Sequence, residues 1–148
     1  MSLKERLSDD LKQAMKKGDK ERRSVIRLVM ARIVNAEIAQ GKLLEDSDVV
    51  GAIAKEVRQH RESIDAFRQG NRQDLVSQEE KELAILLEYL PKQMTREELV
   101  IAAREVIEEV GANGPGDKGK VMPRLIARVK GMADGRDINA VVTELLAG

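Results

Sequence analysis

The sequence predicts an all-α protein: an N-terminal four-helix bundle followed by a smaller C-terminal three-helix bundle. Three observations lead there. Apolar residues recur at three- and four-residue spacing along most of the chain, and no segment shows the strict alternation of a half-buried strand. Capping residues and glycines break this pattern into helix-sized pieces. Finally, the 148 residues include one Phe, one Tyr and no Trp, while 35% are charged. A core must therefore come from Leu, Ile, Val, Ala and Met, and strands built without aromatics would be unusual.

Each element has its own punctuation. Ser2 with Glu5 forms a capping box for a first helix carrying Leu3, Leu7, Leu11, Ala14 and Met15, which Gly18 closes. Asp19 is the expected cap of a second helix with the seam Ile26, Val29, Ile33 and Ala36, ended by Gly41. Val25, Leu28, Met30 and Val34 widen that stripe, so this helix is expected to be the most buried. A charged link over residues 43–48 leads to a third helix with the seam Val49, Ile53, Val57, His60, Ile64 and Phe67, stopped at Gly70 and Asn71. Asp74 is the expected cap of a fourth helix through Leu75, Leu83, Leu86, Leu87 and Leu90, which Pro91 terminates.

A second capping box, Thr95 with Glu98, opens a fifth helix through Leu99, Ala103, Val106 and Val110, closed by Gly111. Residues 111–116 read as irregular. Asp117 should cap a sixth helix to about residue 129, with Pro123 kinking it or delaying its start. After a turn over residues 131–135, Asp137 is the expected cap of a last helix with Ile138, Val141, Val142, Leu145 and Leu146. The link at residues 91–95 divides the chain into domains 1–92 and 93–148, and the second is small enough to be marginally stable alone.

Composition excludes several functions. Basic and acidic residues balance at 26 each, and there is no cysteine, hence no disulfide, thiolate metal site or Cys nucleophile. His60 is the only histidine, which argues against a His-based zinc site. No apolar run approaches a membrane span, and the start is charged from Lys4 on without an apolar signal core. The expectation is a cytoplasmic protein with no cofactor, no metal and no membrane contact.

Candidate sites follow from residue types and spacing. Residues 114–121 have the G-x-x-x-x-G-K spacing of a phosphate-binding loop, but Val121 stands where Ser or Thr must hold magnesium, and residues 106–110 before it are helical. A glycine-rich link fits better. Glu56, His60 and Ser63 contain the letters of a catalytic triad, yet all leave one helix in similar directions, so a buried, hydrogen-bonded histidine fits better. The adjacent pairs Glu79 and Glu80, and Glu108 and Glu109, diverge by about 100° on a helix and read as solvated faces.

From residue 113 to residue 136 the bases are Lys118, Lys120, Arg124, Arg128, Lys130 and Arg136, against Asp117 and Asp134. Lys120, Arg124 and Arg128 form a stripe opposite Val121, Leu125 and Val129, able to meet phosphates or simply to face water. Lys16, Lys17, Lys20, Arg22, Arg23 and Arg27 make a second basic cluster with the same two readings. With only Phe67 and Tyr89 there is no aromatic platform for single-stranded bases, so any RNA contact should read shape and phosphates.

The run Gly119, Lys120, Val121, Met122, then Val129, Lys130, Gly131, then Ala133, Asp134, Gly135 resembles the YqeY-like family. So do the N-terminal pattern from Leu3 to Met15, the run from Arg61 to Ile64, and Tyr89 to Lys92. The second half also resembles the helical tail of the B subunit of the glutamyl/aspartyl-tRNA amidotransferases, matching at Gly119, Val121, Met122, Lys130, Gly131 and Ala133. Those enzymes are carbon–nitrogen ligases that use glutamine as amido donor; their tail helps to hold tRNA while catalysis occurs elsewhere. The resemblance implies a four-helix bundle followed by a three-helix bundle. It also implies contact with tRNA, at its elbow or backbone, or with a tRNA-handling enzyme. Met132, Pro123 and His60 depart from the family pattern, the first by removing a cation. The leading expectation is a non-catalytic helical module of this kind; the alternative is a protein–protein adaptor with no nucleic-acid role.

Overall fold

Local chemistry accounts for most helix ends. A computed structural model of the protein describes residues 1–147, and among these the chain forms seven α-helices and no strand. The helices are α1 (Leu3–Lys17), α2 (Lys20–Gln40), α3 (Asp46–Gln69), α4 (Gln73–Leu87), α5 (Arg96–Val110), α6 (Lys118–Arg128) and α7 (Gly135–Ala147). Ser2 accepts the Glu5 N–H at 3.1 Å, and Asp19 accepts that of Arg22 at 3.1 Å. Thr95 and Glu98 complete the expected capping box. Gly18 and Gly41 end α1 and α2 with φ near 70°, the left-handed conformation in which a Cβ is strained.

Several expected boundaries are corrected. Arg72, not Asp74, caps α4; Asp74 lies in the first turn, where the helix dipole also favours an acid, and accepts two hydrogen bonds from Arg72. The same substitution of roles occurs in α7, where Asp137 lies inside the first turn and Asp134 accepts the Arg136 N–H at 2.9 Å. Helix α4 ends at Leu87, four residues before Pro91. Residues 111–116 are not wholly irregular, because Pro115–Asp117 forms a 3-10 turn that leads into α6. Pro123 sits inside an uninterrupted α6 and does not delay its start. Helix α3 stops at Gly70 and Asn71 as expected, and it is Asn71, with φ 55°, that takes the left-handed conformation.

The chain divides into two units, Met1–Leu90 and Pro91–Gly148. In the first, Leu7, Ile26, Val49, Ile53, Leu86 and Tyr89 are among the side chains of one apolar core. Each such Leu or Ile contributes roughly 1.5–3 kcal/mol on burial. The core needs only one face of α2: Val34 and Ile38, on its other side, are 51% and 74% exposed. Helix α3, with Val49, Ile53, Glu56, Val57, His60 and Ile64 buried, is therefore more buried than α2, contrary to the breadth of the α2 stripe. Helix α4 packs on α3 and α2, which is what brings its acidic residues toward His60.

The second unit has its own core, including Leu99, Val106, Val121, Leu125, Val129 and Val142. Its N-terminal link is tied in place. The Met94 N–H donates to Met132 O at 2.8 Å, and Gln93 Nε2 donates to Gly131 O at 2.7 Å. Gly131, with φ 78°, makes the left-handed turn that presents those carbonyls.

Candidate functional site

Helix α6 has one face in the core and one outside. Val121 and Leu125 are fully buried and Val129 nearly so, while Lys120, Arg124 and Arg128 are exposed. The stripe is not a free cationic surface. Arg128 donates to both carboxylate oxygens of Glu109 at 2.6 and 2.8 Å and to Glu105 at 3.3 Å. Arg124 stands 3.7 Å from Glu109, and Lys120 3.5 Å from Asp117. Lys118 donates to the Thr143 hydroxyl on α7 at 2.9 Å. Lys130 is exposed just beyond α6, and Arg136 lies in the first turn of α7. The Arg128 hydrogen bond holds the Glu109 carboxyl below its usual pKa, and the Asn113 N–H, followed by the Lys120 charge, does so for Asp117.

The excess of bases along residues 113–136 thus misses two acids that α5 brings alongside. A signal existed: Glu105 and Glu109 have the same four-residue spacing as Arg124 and Arg128. In the second basic cluster, Arg22 is likewise engaged, by two hydrogen bonds to Glu88 at 3.1 and 2.9 Å. Of the residues that carry the family resemblance, Val121 is core, Met122 and Ala133 pack against it, and Gly131 makes the buried turn. Gly119 and Gly135 have open space where a Cβ would stand.

A second ionic cluster lies between α3 and α4. His60 is 6% exposed, so the expected buried histidine is present. Its Nδ1 lies 2.9 Å from the Glu56 carbonyl, and its Nε2 lies 3.2 Å from Glu82 Oε1 and 3.6 Å from Glu79 Oε2. Ser63 has no part in this arrangement, so the letters of a triad do not become one. Glu79 is not on a solvated face as expected: together with Glu82, three residues on, it turns toward His60, while Glu80 pairs with Arg68 at 2.8 Å. The Glu56 carboxylate is buried and receives Arg32 Nε at 2.7 Å. Burial works to lower the His60 pKa, but the Glu56 carbonyl, the Glu82 hydrogen bond and the charges of Glu79 and Glu82 outweigh it and hold the pKa above 6.5. Burial, with the Glu82 charge adding to it, raises that of Glu79.

These features define the class: an all-helical protein with two cores, whose charged residues are gathered into clusters that span neighbouring helices. The chain belongs to the YqeY-like family, since the family model described as Yqey-like protein matches residues 4–146. It is similar to the altered inheritance of mitochondria protein 41, mitochondrial, of Pyrenophora tritici-repentis, with 33% identity over 95% of this chain and 79% of that protein. The protein of the same name from Eremothecium gossypii is 31% identical over 90% of this chain and 73% of its own length. Both names place those relatives in mitochondria, whereas the charged start of this chain led to an expectation of the cytoplasm. Among the described residues no helix is long and apolar enough to cross a membrane.

Proposed function

We propose that the protein is a non-catalytic binding module, a four-helix bundle followed by a three-helix bundle of the amidotransferase-tail kind, whose second unit contacts the phosphate backbone of tRNA. One observation carries the reading: α6 turns Val121, Leu125 and Val129 into the core and leaves Lys120, Arg124 and Arg128 outside, with Lys130 following. Phosphate contacts of this kind carry no sequence information, which suits a chain with no aromatic platform. Glu105 and Glu109 set the strength of the contact, because a phosphate must replace them on Arg124 and Arg128. The unit is therefore a weak, salt-sensitive binder. Both His60 ring nitrogens face glutamates, which supports a non-catalytic role for that residue.

Fluorescence anisotropy with labelled tRNA tests this. The parent should bind at low salt and lose affinity steeply as salt rises. Glu105→Gln with Glu109→Gln should tighten binding and steepen the log–log salt slope by roughly 0.7–0.9 per phosphate gained. Replacing Lys120, Arg124, Arg128 and Lys130 by Ala should flatten it. A parent that binds no tRNA at low salt yields to the adaptor reading, which has its own support: Val34, Ile38 and Leu43 are exposed, and Val34 borders an apolar hollow with Leu7, Met30 and Ile33.

A further inference from the structure

The His60 cluster has both the donor set and the spacing of a metal site. The Nδ1 edge faces the Glu56 carbonyl at 2.9 Å, which can only accept, so Nδ1 carries the proton and donates it. Metal-ligating histidines are oriented this way, with the far ring nitrogen left bearing a lone pair. Here that lone pair points at two carboxylate oxygens, 3.2 and 3.6 Å away. In the neutral imidazole neither approach is a hydrogen bond, since all three atoms are acceptors. Either a second proton or a cation must stand among them.

We propose that His60, Glu79 and Glu82 bind one divalent first-row transition ion between α3 and α4, with Zn²⁺ the best fit. The three ligand atoms all lie within 4.8 Å of one another. Zinc bonds of about 2.0–2.2 Å in a tetrahedron place neighbouring ligand atoms about 3.4 Å apart. The distances of 3.2 and 3.6 Å from Nε2 bracket that edge. One imidazole and two carboxylates are too few, and too nitrogen-rich, for a calcium cage of 6–8 oxygens, whereas imidazole suits zinc and its neighbours.

The surroundings complete the site. Gln78 Nε2 donates at 3.0 Å to Glu82 Oε2, the oxygen not turned to His60. Arg32 occupies the Glu56 carboxylate, so two carboxylates remain to neutralise one dication. The Glu79 and Glu82 side chains are each 23% exposed, against 8% for His60. The cluster therefore opens to solvent on its carboxylate side, which provides a way in for the ion and a place for water as fourth ligand. Counting histidines alone had argued against zinc. The two further ligands come from a different helix, at Glu79 and Glu82, three residues apart.

The test uses the full chain stripped with a chelator and titrated with Zn²⁺ by calorimetry in buffers of different ionisation heat. One ion should bind per chain, with proton release where His60 begins as the imidazolium. The melting temperature should rise with zinc concentration, because the ion binds the folded state. Substituting Co²⁺ should give visible absorption of tetrahedral type. The double change Glu79→Gln and Glu82→Gln should weaken Zn²⁺ binding by more than the 10–100-fold that loss of an outer partner costs, and His60→Gln should do the same. If His60→Gln does not fold, the double glutamine variant decides. The acidic pair of the other unit serves as control, so Glu105→Gln with Glu109→Gln should leave zinc affinity unchanged. A parent without saturable one-to-one binding overturns the proposal, as does parental affinity in the double glutamine variant.

Discussion

In Met1–Leu90, His60 meets Glu79 and Glu82 beside an apolar seam that includes Val57 and Ile64, and its ring is almost wholly removed from water. In Pro91–Gly148, Arg128 meets Glu105 and Glu109 at the surface, with side-chain exposures of 34%, 61% and 43%. The two clusters use similar materials: one cationic or basic group and two glutamates from a neighbouring helix. Their burial differs, and burial decides what such groups do. Exposed pairs are screened by water and salt and exchange partners easily, so they contribute little to stability and remain available to another anion. A shielded cluster is held in one geometry, and removing a member leaves its partners poorly solvated.

The contrast can be broken or sharpened by experiment, starting with the walls. Ile64→Ala, one helical turn from His60 and 5% exposed, should cost about 2–5 kcal/mol in urea unfolding. Ile126→Ala, two residues before Arg128 and 45% exposed, should stay within about 0.5 kcal/mol. Equal losses would erase the distinction. Removing the central group comes next. His60→Leu leaves two partly shielded carboxylates without their partner and should cost about 1–3 kcal/mol, while Arg128→Leu should lower the urea midpoint only slightly.

Acidity should separate the clusters by sign. The folded pKa of His60 lies above 6.5, so its stabilisation is complete below pH 6.5 and is lost as pH rises through the folded value. That of Glu109 lies below 4.5, so its stabilisation is complete above pH 4.5 and is lost as pH falls through the folded value. Urea midpoints measured across pH with chelator present, for the parent against His60→Gln and against Glu109→Gln, should therefore diverge in opposite directions. The smallest effect concerns salt. A double-mutant cycle on Arg128 and Glu109 should lose its coupling at high ionic strength, whereas one on His60 and Glu82 should keep most of it.

Much of the helical framework was legible because its signals are local. Asp19, Thr95, Gly18, Gly41 and Gly111 act on backbone groups within four residues of themselves, and all five do what their positions suggest. Where two acids lie within one turn of each other, or an acid lies just inside a helix, local spacing does not separate the cap from the first turn. Asp74 and Asp137 serve the first turn instead of the cap, because both positions reward a negative charge. The breadth of the α2 stripe misled for a different reason. A helix shows how many apolar residues it carries, but not how many neighbours will cover them, and Val34 and Ile38 stay uncovered.

By itself the sequence determined the all-helical class, the core faces of α3, α5 and α6, that of α1 except for Met15, which is exposed, and a His60 buried on the seam of α3. Periodicity and capping are properties of residues three and four apart, and a chain states them before it folds. Only the tertiary structure decided which charges meet. Glu79 and Glu82 reach His60 across 19 and 22 positions, and Glu105 and Glu109 reach Arg128 across 23 and 19. Those encounters depend on how α4 lies against α3 and α6 against α5, at a register set by the packing of Val, Leu and Ile side chains. A shift of one turn, about 5.4 Å, would separate every pair. Helix faces are written in the spacing of single segments, whereas ionic partners follow from the fit between neighbouring helices within each core.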